Sequence, residues 1–312
     1  MKIIKGLLLM GTALAAAVVL AGCSFGFISV VHYTNADKYT AGDREITEKI
    51  DSIDIDYISG DITFLTEDTD TVSVKETARI ALDSDRQVHT WVEGSTLHVR
   101  YCAADKRLDL SNLDKKLEIT VPEDVTFSDV NINLSSGDLR ADDIKTKKLD
   151  VDSTSGNHVI GCTADTVTIN STSGDIDLTQ FGKSEDISVE ATSGNFHFNM
   201  EEVKNLILNT TSGDMWVEAE KIEKLDVDST SGNKTFTLSN CPEETVINAS
   251  SGDVELRIPS DSGVTAILNT TSGDIRSNIP FTTNGDTYTF NSGTAVMDID
   301  TTSGKITINA LD

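Results

Sequence analysis

The ten residues Lys148-Leu149-Asp150-Val151-Asp152-Ser153-Thr154-Ser155-Gly156-Asn157 return unchanged as Lys224 to Asn233. Between positions 129 and 275 a Thr/Ser-Ser-Gly-Asp/Asn signature recurs every 18 to 21 residues. Its glycines are Gly137, Gly156, Gly174, Gly194, Gly213, Gly232, Gly252 and Gly273, with outlying copies at Gly60 and Gly304. A repeat this short cannot bury an apolar edge by itself, whereas stacked copies share one continuous core. The stretch therefore reads as an all-β, parallel β-solenoid (β-helix) of about ten rungs, right-handed by the general rule for parallel crossovers.

Numbering each repeat from its glycine as zero shows which side chains face inward, because alternate residues of a strand point to opposite faces. Apolar residues recur at minus seven (Leu149, Val167, Ile187, Leu206, Leu225) and minus five (Val151, Ile169, Val189, Leu208, Val227). They resume at plus two and plus four, as in Ile176 and Leu178 or Phe196 and Phe198. The phase changes at the glycine, so the chain turns a corner there, and each repeat reads as two short strands with a second, polar turn between repeats. Small residues at minus three and minus one (Ser153 and Ser155, Ser171 and Ser173) are expected to point inward at a narrow end. Glycine is expected where φ is positive or a Cβ would strike the next rung.

Outside the repeats the chain divides readily. Lys2 and Lys5 precede an apolar run, and Leu20-Ala21-Gly22-Cys23 resembles a bacterial lipobox. That resemblance implies a signal peptide over 1–22, a lipid on Cys23 and extracytoplasmic attachment to the membrane. The uncharged run from Gly6 to Val31 is also long enough for an uncleaved transmembrane helix, and either reading places the rest of the chain outside the cytoplasmic membrane. Residues 23–44 read as anchor and tether, and 45–128 as an enlarged β-rich coil and cap with a hairpin at Glu93-Gly94-Ser95. Residues 129–275 are the regular stack. A C-terminal rung and cap over 276–312 carries a second hairpin signal, Thr283-Asn284-Gly285-Asp286.

Several stretches resemble a bacterial family of β-strand-repeat envelope proteins whose function is unassigned and which are often labelled adhesins. They are Asn35 to Gly42, Ile53-Asp54-Ile55 with Ser59-Gly60-Asp61, Leu97 to Tyr101, Leu117 to Pro122, and the repeated Ser-Gly-Asp. The resemblance implies a solenoid fold and an envelope location, and it supplies no catalytic motif.

Two polar columns flank the corner, at minus four and plus one. Their pairs are Asn133/Asp138, Asp152/Asn157, Asn170/Asp175, Glu190/Asn195, Asn209/Asp214, Asp228/Asn233, Asn248/Asp253 and Asn269/Asp274. Each holds one acid and one amide, and over the first seven the acid changes side every time. Carboxylates one rung apart repel by about 0.9 kcal/mol in water, which alternation halves. Charge spacing is thus the plain reading of the pattern. The alternative is calcium, a hard ion that takes oxygen ligands, held by Asp138, Asp152, Asp175, Glu190, Asp214, Asp228, Asp253 and Asp274. The repeat lacks the double glycine and nonapeptide spacing of calcium-binding β-rolls.

The outward plus-three column contains Asp177, His197, Trp216 and Glu255. Aromatic rings beside acids can form a contact platform for a glycan. Catalysis is the competing class, since elongated β-helices include polysaccharide-active enzymes. A glycosidase needs its two carboxylates about 5 to 9.5 Å apart, yet Asp177 and Glu255 stand four rungs, about 19 Å, apart by the strand spacing. The same arithmetic keeps Cys162 from Cys241, beyond the disulfide limit of about 7 Å; Cys102 could pair with one of them only if the N-terminal coil folds back, so buried free thiols are expected at all three. A formal charge of -26 disfavours nucleic acid and anionic lipid headgroups. The sequence thus reads as a non-catalytic scaffold or adhesin-like binding module of the cell envelope. The alternatives are a polysaccharide-active β-helix and a calcium-binding envelope protein.

Overall fold

The computed structural model describes residues 28–311, so the signal peptide expected over 1–22 and the lipidation expected at Cys23 lie outside the described residues. The chain is all-β. Among the described residues, apart from one 3-10 turn at Ala36–Lys38, every regular element is a strand, as the Val, Ile and Thr content of the repeats favours. All but two of these strands join one large, mostly parallel sheet; Ile28–Ser29 pairs separately with Leu108–Asp109. The minus-seven, minus-five, plus-two and plus-four side chains of successive repeats form one continuous buried core.

The strands are longer than expected. Leu139–Ser155, His158–Ser173, Ile176–Ser193 and Phe196–Ser212 each run from just after one signature glycine to just before the next. The second turn is therefore no break. It is a slip of register inside the strand, between Ala141 and Ile144, Cys162 and Thr166, or Gln180 and Lys183, and such bulges bend a strand while its neighbours stay bonded.

The sharp corner is the glycine, where φ is +126° at Gly213 and +137° at Gly194. A Cβ on Gly213 would sit 1.6 Å from the carbonyl oxygen of Gly194, and the same clash recurs along the column. Both causes expected from the sequence thus act together. The minus-three residues Ser153, Ser171 and Ala191 are buried. The minus-one serines differ from expectation, being half-buried and turned along the rod instead of into the core. Ser173 Oγ donates to the Thr154 carbonyl at 3.3 Å, Ser193 to Thr172 at 3.4 Å and Ser212 to Thr192 at 3.3 Å. A hydroxyl beside the tight corner satisfies a rung-to-rung acceptor that an apolar residue would leave to water.

Rungs do not stack in chain order at either end. Ser52–Ser59 lies between Thr96–Arg100 and Phe127–Ser136, parallel to both. The chain thus builds this rung, loops outside it to build the terminal one, and then crosses back. Antiparallel strands close the outer edge: Val72–Thr77 bonds Lys116–Pro122, and His89–Glu93 forms a hairpin with Thr96–Arg100. Lys115 stands where the next glycine would fall, its carbonyl 2.2 Å from a Cβ placed on Gly60. The Lys115 ammonium is buried against Glu76 at 2.6 Å, and Tyr57 OH donates to the same carboxylate at 2.8 Å.

At the C-terminal end the last rung enters a gap. Ala295–Ser303 pairs with Glu244–Ser251 on one side and Val264–Ser272 on the other. Ile306–Leu311 likewise lies between Val254–Pro259 and Ile275–Ser277. The glycine column accordingly runs Gly252, Gly304, Gly273. The hairpin Phe281–Asn284 with Thr287–Phe290 covers Val264 to Ile267 from outside.

Candidate functional site

Inserting the last rung completes a pattern that the sequence left broken. In spatial order the minus-four column ends Asp228, Asn248, Asp300, Asn269, and the plus-one column ends Asn233, Asp253, Lys305, Asp274. Alternation therefore runs through the eighth pair. Asn248/Asp253 and Asn269/Asp274 match in side because they are not neighbours.

The two columns bond differently. At plus one, each side-chain oxygen accepts the backbone N–H of the next rung: Asn157 from Asp175 at 3.0 Å, Asp175 from Asn195 at 2.8 Å, Asp214 from Asn233 at 2.7 Å and Asp253 from Lys305 at 2.8 Å. Only a short side chain ending in an acceptor can do this, which is why Asp and Asn share the position. At minus four the amide donates instead, as Asn170 does to Asp152 at 2.7 Å and Asn248 to Asp228 at 2.9 Å. The eight acids named as calcium ligands are thus spread along both columns, with carboxylates of the regular repeats two rungs, about 9.6 Å, apart in each. Among the described residues no group of three or more His, Cys, Asp or Glu side chains converges on a point that could hold a metal.

The plus-three column brings the aromatic candidates together. Asp177, His197 and Trp216 occupy successive rungs, followed by Thr235 and then Glu255. The His197 and Trp216 rings are stacked, with centroids 4.5 Å apart and planes 6° from parallel, and Asp177 Oδ1 lies 3.3 Å from His197 Nδ1. Trp216 remains 37% exposed. Its second face looks along the rod over Thr235, which is short and half-buried. Glu255 Oε1 accepts from Arg257 Nε at 3.0 Å and Asn309 Nδ2 at 3.3 Å. Asp177 and Glu255 are four rungs apart, beyond the span of a glycosidase pair.

Sequence reasoning named both walls of this feature and missed its floor, Thr235, which a complete reading of the plus-three position would have found. It also missed an aromatic cluster at the other end. Trp91 stacks on His98 at 5.4 Å and meets Tyr39 edge-on at 5.6 Å, while Arg100 lies over Tyr33 and Tyr39 and bonds Asp54. This cluster packs the stretch around Tyr33 and Tyr39, read as tether, against the rod. Its members come from segments too far apart in sequence to be read as a group.

Cys102 and Cys162 are buried, Cys241 is half-buried, and all three are free. Burial pushes the Cys162 thiol up to about 12, with the Asp143 carboxylate adding to the effect.

A family model, Toastrack DUF4097, matches residues 50–309. The chain belongs to this family. Solved structures resembling this Toastrack chain include a candidate cell adhesion protein from Clostridium sporogenes, at 11% identity and a TM-score of 0.25, covering 87% of this chain and 100% of that one. A candidate adhesin from Bacteroides fragilis has 14% identity and a TM-score of 0.37, over 86% and 96% of the two chains. A candidate lipid-binding protein from Parabacteroides distasonis gives 14% and 0.37, over 88% and 97%. At such identities and scores, the roles named for those proteins stay with them. No curated protein matches the Toastrack chain.

Proposed function

We propose that this Toastrack chain is a lipid-anchored, non-catalytic binding module of the cell envelope, a right-handed rod of about ten rungs whose contact face is the plus-three column around Trp216. The observation that carries this reading is the braced stack of Asp177, His197 and Trp216. It holds a large, partly exposed ring rigid on a flat sheet, and an ordered aromatic anchor loses little freedom when it binds. The lipobox ending at Cys23 supports the anchor. The distance between Asp177 and Glu255 supports a non-catalytic role.

Two measurements test the proposal. Retention of the purified chain on cell-envelope preparations is expected to fall at least fivefold in Trp216→Ala and by less in His197→Ala, with melting unchanged. Equal retention of wild type and Trp216→Ala would discard this face. Cys23→Ala is expected to move the chain from the membrane fraction to the soluble fraction; a variant that stays with the membrane supports the uncleaved helix instead.

A further inference from the structure

Building on the Trp216 contact face, we infer that the gap between Trp216 and Glu255 is a binding slot for one uncharged pyranose ring of an oligosaccharide that crosses the rod. Trp216 and Glu255 are separated by the single rung that carries Thr235, so the slot is two rung spacings, about 9.6 Å, wide. One wall is an aromatic plane whose far side is already taken by His197, and the other is a carboxylate.

A sugar ring presents an apolar C–H face and an edge of hydroxyls. Lying flat on the open side of Trp216, it takes up about 4 Å of van der Waals contact. The remaining distance, about 5.6 Å, takes a ring hydroxyl and its hydrogen bond of about 2.7 Å to the carboxylate, with the flexible Glu255 side chain closing the rest. Glu255 Oε1 is already engaged by Arg257 and Asn309, and Oε2 has no hydrogen bond among the described residues.

The floor provides complementary groups. Asn233 Oδ1 accepts from the Asp253 N–H at 3.1 Å, which orients its amide so that the two donors of Nδ2 face away from that bond. The Thr235 hydroxyl and the Trp216 indole N–H have no partner among the described residues. The Trp216 ring is nearly parallel to that of His197 on the neighbouring rung, so a sugar stacked on it lies across the rod. Its chain direction then follows the strand, from Asn233 past Thr235 to Thr237. That path is about 13 Å long by the strand rise, room for a short oligosaccharide.

Charge sets the class of sugar. Asp214, Glu218, Asp253 and Glu255 surround the slot, with Arg257 already paired to Glu255. Lys305 is likewise paired to Asp253, so a carboxylated or sulfated sugar would meet a net negative surface whose two cations are already engaged. A neutral hexose or N-acetylhexosamine pays no such penalty.

The test uses the full chain in a non-glycosidic detergent, since a sugar detergent would compete. The protein has two tryptophans, so Trp91→Phe leaves Trp216 as the reporter. Neutral hexasaccharides of glucose, mannose and N-acetylglucosamine are titrated beside oligogalacturonate. At least one neutral series is expected to shift Trp216 emission saturably, with oligogalacturonate at least tenfold weaker. Thr235→Arg fills the slot; plus three already carries Arg140 and Arg276 on other rungs, so the stack accepts arginine there. This variant should lose sugar binding tenfold or more and melt as wild type does.

Three results would overturn the inference: no neutral series moves the emission, oligogalacturonate binds as well as the neutral sugars, or Thr235→Arg binds undiminished. If none of the neutral sugars binds while Trp216→Ala still loses envelope retention, the contact face survives and its ligand is of another class, such as a peptide. If Trp216→Ala keeps retention as well, both readings fall.

Discussion

The glycine column shows how much one missing Cβ can decide. Gly213 needs a positive φ and also lies on the carbonyl of Gly194, so neither rotation nor repacking relieves a side chain there. Gly213→Ala is expected to cost on the order of 4 kcal/mol and to lower the urea midpoint accordingly; a loss below 1 kcal/mol would mean that the rungs can spread. His158 is the opposite case, a residue whose replacement should help. It occupies plus two, inside the core, and both ring nitrogens are buried without a partner. Burial holds its pKa below the ordinary imidazole value of 6.5, with only partial opposition from Asp138. Below about pH 6.5 the unfolded chain binds a proton that the folded chain refuses, so stability falls as the solution is acidified. His158→Ile should gain about 1 kcal/mol at pH 7 and remove this residue's share of the acid loss, read as the difference between the two pH–stability curves. Lys234, also at plus two, is pushed down to about 8 by burial. Between there and its unfolded value the unfolded chain holds the extra proton, so stability rises with pH across that window, and Lys234→Met should abolish the rise.

At the scale of the element, the acid and amide columns join register to charge. Asn209 lies between Glu190 and Asp228. Asn209→Asp would set three carboxylates on successive rungs, adding two repulsions of about 0.9 kcal/mol each in water. A destabilisation of about 1 to 2 kcal/mol is expected at low salt, shrinking in 0.5 M NaCl as the Debye length falls below the rung spacing; a loss that ignores salt would trace the effect to the amide donor instead. Calcium is expected to move the wild-type melt by less than about 1 °C. Each inter-rung gap of the regular columns offers one carboxylate, and calcium affinity follows the number of charged ligands. A shift of several degrees, reversed by chelator, would restore the metal reading through ligand linkage.

For the whole molecule, the repeats were legible because stacking imposes periodicity: Leu149, Val167, Ile187 and Leu206 must recur at one position to make a single core. The ends were less so. Lys115 occupies a glycine site through its backbone, and Glu76 and Tyr57 reach it from segments with no periodic relation. The rung around Gly304 was legible from its own signature, but its insertion between earlier rungs left one trace in the sequence, the two like-sided pairs at 248/253 and 269/274, which mark a missing neighbour. The Trp216 face was legible as a column, but its slot required knowing that Thr235 is low and half-buried. Lys305→Glu tests the inserted rung directly, because it places an acid between Asp253 and Asp274. The variant is expected to expose the 295–311 amides to hydrogen exchange while the Phe196–Ser212 amides stay protected; uniform protection would show that the rung is held without regard to charge.

A ribosome makes both walls of that gap before it makes the rung that fills them. Until the segment around Gly304 emerges, each growing molecule carries an unsealed furrow bordered by two strands with free amides and carbonyls, open to any passing extended peptide. The rung from Ala295 to Leu311 therefore works as a seal, set in place only after both of its walls exist. A chain lacking the segment from Ala295 onward would differ in bearing that open seam, a difference that a protease could read.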